Sequence, residues 1–230
     1  MRLDRFISKH TEHSHQTARL LVARGRVRVN QQQVHDLRAD IDRFATVTLD
    51  GEVLQENTAH YLMLHKPVGY LSATRDPCHP TVLELVAPEL RPCLHIGGRL
   101  DRSTSGLLIL TNDGLWSRRL TEPKLKVPKV YHLRTAAPIS AETAHRFAEG
   151  IYLSYEDLTT SPAQLQQLGE REARLTIYEG RYHQVKRMFT AVGNRIVALH
   201  RERMGSIDLG EDLSSGAYRA LTPIEIASVG

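Results

Sequence analysis

The chain has only two cysteines, Cys78 and Cys93, in 230 residues. Two thiols make no disulfide framework, and neither sits at metal-ligand spacing. The twelve histidines are scattered, and the neighbouring His13 and His15 lack partners at zinc-site spacing, so no metal is expected. No apolar run approaches the length of a membrane span. The first ten residues, MRLDRFISKH, are charged every few positions, unlike a signal peptide, and the cytoplasm is the expected compartment. There is no Gly-rich phosphate loop of the P-loop or dinucleotide type, no internal repeat and no low-complexity tract. No cofactor is expected.

The chain carries a net charge of +4 and a pI of about 9.2, a mildly basic balance that suits a nucleic-acid partner without requiring one. The distribution says more. Residues 1–35 are basic, with Arg2, Arg5, Lys9, Arg19, Arg24, Arg26 and Arg28 against Asp4 and Glu12. Residues 36–58 are acidic, and residues 181–203 are basic again, with Arg181, Lys186, Arg187, Arg195, Arg201 and Arg203 against Glu202 alone. Two basic clusters can form two faces that grip a polyanion, or can remain solvated helix faces.

Residues 1–58 read as a small module. Leu3, Phe6 and Ile7 have helical spacing. Ser14 is placed to cap a second helix with Ala18, Leu21 and Val22 inside, and Gly25 to end it. Val27 and Val29 alternate with Arg26 and Arg28, which predicts a strand with one basic face. Val47 and Leu49 repeat the alternation before Asp50-Gly51, a hairpin signal. Gln55-Glu56-Asn57-Thr58 reads as a linker. Strands are then expected at 61–64, 94–96, 107–110, 130–133, 173–178 and 197–199. Ser140 and Gly150 bracket a helix, and Thr222-Pro223-Ile224-Glu225 is a capping box that opens a last one. Residues 59–230 therefore form the larger domain. The class is α+β with a mixed, mostly antiparallel sheet.

The most informative stretch is GRLDRSTSGLLILTNDG at 98–114. Asp101 sits in a segment dense in Gly, Ser and Thr, just before the apolar run Leu107–Leu110 that reads as a buried strand. Glycines 97, 98 and 106 suit tight bends and close backbone approach. An acid in a bend at the mouth of a rigid strand is placed like a catalytic group; its alternative is an ordinary turn or cap.

This segment resembles the catalytic-aspartate motif of the pseudouridine synthases that modify ribosomal RNA. Three other stretches are similar to motifs of that family: His65-Lys66-Pro67-Val68-Gly69-Tyr70, Lys129-Val130-Tyr131, and residues 179–189, EGRYHQVKRMF. The last, continuing to His200-Arg201-Glu202-Arg203, most resembles the branch acting on the small subunit. The resemblance covers almost the whole chain. It implies a sheet crossed by the active cleft, isomerisation of uridine with the base flipped out of the RNA, and no cofactor. It implies Asp101 as the catalytic carboxylate, Arg187 as the cation that keeps it charged, and Tyr131 as the ring that stacks on the base. Arg187 projects opposite the stripe Val185, Met188, Phe189 and Val192, with Lys186 and Thr190 on its broad side. Arg99, Lys129, Arg181 and Lys186 would line the RNA path.

The first module resembles the RNA-binding module of small-subunit ribosomal protein S-four, which implies that Arg19, Arg24, Arg26 and Arg28 contact phosphates. It departs from that pattern at His15, where Arg is frequent, and at Asn30-Gln31, where Asn-Gly is usual. Within the family the alternative is a large-subunit target. Outside it stand a non-catalytic ribosome-associated RNA binder, which has no use for an acid facing phosphates, and a glycoside or nucleoside hydrolase, which usually needs two carboxylates. A monomer is expected.

Overall fold

The computed structural model describes residues 1–154 and 156–229; Gly230, the end of the expected larger domain, lies outside them. The chain divides into two compact units, Met1–Ala59 and His60–Gly230.

In the first unit the helices Leu3–His10 and His15–Ala23 pack their apolar stripes on a four-stranded sheet. One core holds Leu3, Phe6, Ile7, Ala18, Leu21, Val22, Val27, Val47 and Leu49. Ser14 caps the second helix by accepting the Thr17 N–H. The Asp50-Gly51 hairpin joins Val47–Leu49 to Glu52–Gln55. The Asn30-Gln31 turn keeps the left-handed geometry of an Asn-Gly turn even with glutamine in place, at φ 48° and 67°. The Asn30 side chain steadies it by accepting the Thr46 N–H. Gln55 is not linker: it ends a strand, and its amide donates to the carbonyls of Asp42 and Ala45. Asn57 similarly donates to Arg43.

The second unit is built on a nine-stranded sheet. Its main path runs Gln164–Gln167, Glu172–Ile177, Lys129–Thr135, Ile196–Met204, Ser105–Thr111, Tyr61–Lys66, Tyr218–Ala220. Among the described residues the pairings are antiparallel except that of Ser105–Thr111 with Ile196–Met204, so the sheet is mixed and mostly antiparallel, as the sequence predicts. The run Leu107–Leu110 is continuous because both faces of its strand are covered. Leu108 and Leu110 join Leu62, Leu64, Tyr131, Leu133 and Phe189 on one side. Leu107 and Ile109 join Met63, Trp116, Leu120 and Met204 on the other.

The expected helix after Ser140 is Thr143–Glu149, ended by Gly150, but its N-cap is Glu142. Ser140 instead forms the preceding turn, its carbonyl accepting the Thr143 N–H. The capping box at Thr222 and Glu225 is present. No described helix is long and apolar enough to cross a membrane.

Candidate active site

Asp101 lies in the bend that leads into the Ser105–Thr111 strand, and Lys66, Gly69 and Ser72 hold the backbone of that bend. Lys66, fully buried at 0 % exposure, donates to the carbonyls of Thr104 (2.7 Å), Pro67 (3.0 Å) and Arg102 (3.4 Å). The Gly69 N–H bonds to the Arg102 carbonyl at 2.8 Å. Ser72 Oγ donates to the Leu100 carbonyl and accepts its N–H. Burial pulls the Lys66 ammonium down to about 8, against the pull of the Asp101 charge; Lys186 and Arg201 push it further down. The Lys66-Pro67-Val68-Gly69 motif thus shapes the loop that presents the acid.

The carboxylate of Asp101 is held through both oxygens. Lys186 Nζ donates to Oδ2 at 2.6 Å and to Ser103 Oγ at 2.9 Å. His183 Nε2 stands 3.3 Å from Oδ1. The expected brace, Arg187, is not the cation found there: its guanidinium pairs with Glu156 at 3.1 Å and donates back to the Tyr182 carbonyl. Helical phase decides between them. His183 takes a left-handed φ of 49° before the helix Gln184–Ala191, and that start turns Lys186 toward Asp101. Arg187, about 100° further round, faces Glu156.

The Lys-x-Tyr spacing is the period of a strand, so Lys129 and Tyr131 share one face of Lys129–Thr135. Both line a cavity of about 740 Å³ whose wall includes Asp101, Lys186, Arg201 and Leu199, a size ordinary for a small-ligand site. Tyr131 is 8 % exposed and belongs to the core as well as to the cavity wall. Lys129, at 5 % exposure, is buried in this wall. Burial first, then Arg201, drives it down to about 8, opposed by Glu179.

Arg201 was not foreseen. It is buried, donating from Nε to the Leu107 carbonyl and from Nη2 to that of Gly98, both at 2.8 Å. It ties the two central strands to the turn before Asp101. Its alternation with Leu199 is the signal that pointed inward. Glu179, also buried, accepts from the Ser161 N–H, Arg181 Nε and Gln184 Nε2.

Arg99 is exposed and lines the cavity; Arg181 is exposed and paired with Glu179. In the first unit Arg19, Arg24 and Arg28 are exposed. Arg26 is exposed but spends its guanidinium on Asp50. His15 faces inward enough to lie 3.4 Å from the fully buried Asp4, which also takes a two-pronged bond from Arg2. Burial pushes the Asp4 carboxyl up, but the Arg2 bonds, the Arg5 N–H and the nearby charges outweigh it and leave it below its ordinary value.

Residues 60–191 match the family of RNA pseudouridylate synthases. The chain belongs to that family. It is an isomerase that makes pseudouridine from uridine in RNA. Over its full length, and that of the relative, it is 53 % identical to a ribosomal small subunit pseudouridine synthase A from Pseudomonas aeruginosa. Against the protein of the same name from Escherichia coli K12 the identity is 45 %, again covering all of both chains. A crystal structure of a pseudouridylate synthase superposes with a TM-score of 0.74, at 38 % identity and full coverage of both chains.

The depressed lysines of this synthase have a consequence for stability. The unfolded chain holds the Lys129 proton up to about pH 10.5, whereas the folded chain releases it from about pH 8. Between those values the unfolded state binds more protons, so the contribution of this group to stability rises with pH. Lys129→Met cannot titrate. Its stability relative to wild type should fall on the order of 2 kcal/mol as pH climbs from about 8 to about 10.5. Denaturant melts across that range measure it, and a constant difference would contradict the buried ammonium.

Proposed function

We propose that this chain converts one specific uridine of small-subunit (16S) ribosomal RNA to pseudouridine, with Asp101 as the group that acts on the ribose. One observation carries the reading. The Asp101 carboxylate, gripped by Lys186 at 2.6 Å, stands in the wall of a cavity that Tyr131 also lines, and the other acid of that wall, Glu179, is taken up by Ser161, Arg181 and Gln184.

The reaction breaks the bond from ribose C1′ to N1 of uracil and forms one from C1′ to C5. The C5 proton leaves, and N1 gains one. Nothing is oxidised or reduced. An ionised carboxylate starts it either by attack at C1′ or by taking the proton from C2′. Lys186 aims the Asp101 carboxylate through its 2.6 Å bond to Oδ2. Flipping the uridine out of its helix costs a few kcal/mol, and stacking on Tyr131 offsets part of that. The full-length identity to two proteins named for the small subunit favours that RNA over the large subunit. We infer that the enzyme acts as a monomer in the cytoplasm, where ribosomal RNA is assembled.

The test is a map of pseudouridines in ribosomal RNA from cells with and without the protein. One small-subunit pseudouridine should vanish. Loss from the large subunit, or no loss, overturns the assignment.

The first unit serves this reaction by holding phosphates through Arg19, Arg24 and Arg28. Each phosphate held contributes about −0.9 to the log–log dependence of duplex binding on salt. Changing the three arginines to alanine together should flatten the slope by about 0.9 for each phosphate released. An unaltered slope means that this face does not touch RNA.

A further inference from the structure

We propose that Tyr182 and His183 form a stacking platform for the nucleotide next to the target uridine. The inference rests on the reading above and extends it to a second base. The two rings lie parallel, centroids 3.8 Å apart and 18° from coplanar. Tyr182 is 66 % exposed, the largest exposure of any tyrosine or phenylalanine among the exposed large hydrophobics. Both residues line the cavity that contains Asp101.

The platform is rigid for three reasons. His183 is pinned by its left-handed backbone, by the 3.3 Å approach of Nε2 to Asp101, and by the tyrosine ring on its face. A non-glycine residue is unfavourable in that backbone region, so the rest of the turn must enforce it. The enforcement is visible: Glu179 and Gln184 bond across the turn at 2.8 Å, and the Arg181 N–H bonds to Gln184 Oε1. One face of Tyr182 is thus covered by the imidazole, while most of the side chain is open to solvent.

A flat open ring beside a basic turn fits a nucleotide. The exposed Arg99 and Arg181 on the same cavity wall supply charge for its phosphates, and the ring supplies a face for its base. The geometry also meets a need created by the chemistry. When a uridine leaves its stack, its neighbours lose a stacking partner. Tyr131, buried, serves the base inside the cavity; Tyr182, exposed, is available to the base that stays outside. Stacking of this kind accepts any base, so the platform supports affinity without reading sequence.

The test uses the full-length chain and an in vitro transcript of small-subunit ribosomal RNA carrying tritium at uridine C5, which is released as C5 bonds to C1′. Tyr182→Ala should raise the half-saturating RNA concentration on the order of 10-fold, with the saturated rate close to wild type. Tyr182→Phe and Tyr182→Trp should restore wild-type affinity. Three results overturn the proposal: unchanged affinity in Tyr182→Ala; a loss in Tyr182→Phe as large as in Tyr182→Ala, which assigns the role to the hydroxyl; or a lower saturated rate at unchanged affinity, which assigns it to Asp101 through His183. If wild type releases tritium only from large-subunit transcript, the small-subunit assignment falls, and the same variants judge the platform on that RNA.

Discussion

Asp101→Asn should stop tritium release from C5-labelled uridine in RNA, with a loss on the order of 10⁴-fold or more, while RNA affinity changes little. The asparagine has the size of the aspartate but can neither attack the sugar nor take its proton. The loop that carries it should stay in place, because Lys66, Gly69 and Ser72 hold its backbone without using the carboxylate. Binding should survive because phosphate contacts supply most of the affinity for RNA. A variant that retains a tenth of wild-type rate would remove Asp101 from the chemistry. Two companion variants read the bracing cation. Lys186→Ala should cost more activity than Arg187→Ala, since Lys186 touches the carboxylate and Arg187 is engaged with Glu156. The reverse order would restore the arginine to the role that the family resemblance implies for it.

Gly106→Ala should prevent stable folding. Gly106 has φ 110°, outside the range alanine adopts readily. A Cβ there would stand 2.5 Å from the backbone N of Arg201 and 2.9 Å from its carbonyl carbon, with its oxygen nearer still. Backbone on the facing strand cannot step aside as a flexible side chain does. The clash falls in the parallel pairing of His200 and Arg201 with Ser105 and Gly106, at the middle of the sheet. It also falls beside the Arg201 bonds to Leu107 and Gly98 that frame the Asp101 turn. Relief requires the two central strands to separate, which should remove several kcal/mol, a large part of the total for a domain of ordinary stability. Loss of the cooperative thermal transition, or a melting temperature lowered by more than ten degrees, is the expected measurement. A melt within about two degrees of wild type would mean that the strands are not so close.

Much of this protein was legible because its signals are local. Ser14 before an apolar periodic stretch, Asp50-Gly51 between alternating valines and leucines, and Thr222-Pro223-Ile224-Glu225 each specify a conformation through neighbours a few residues away. Ser140 misled because a serine two residues early serves a turn as readily as a helix cap. Gln31 was legible as an anomaly, and its neighbour Asn30 explains how the turn survives it.

By itself the sequence determined the bend that carries Asp101 and the strand it precedes, since these follow from residue type and spacing over a few positions; the role proposed for the acid came from the family resemblance. Which cation meets Asp101 was decided only by tertiary structure. Lys186 and Arg187 are adjacent and carry the same charge, and the choice follows from the left-handed start at His183 and from packing that brings together residues 85 apart. The burial of Arg201 and Lys66 was decided in the same way. A charged side chain goes inside only where backbone carbonyls from distant strands converge on it, and that convergence exists only once the sheet has closed.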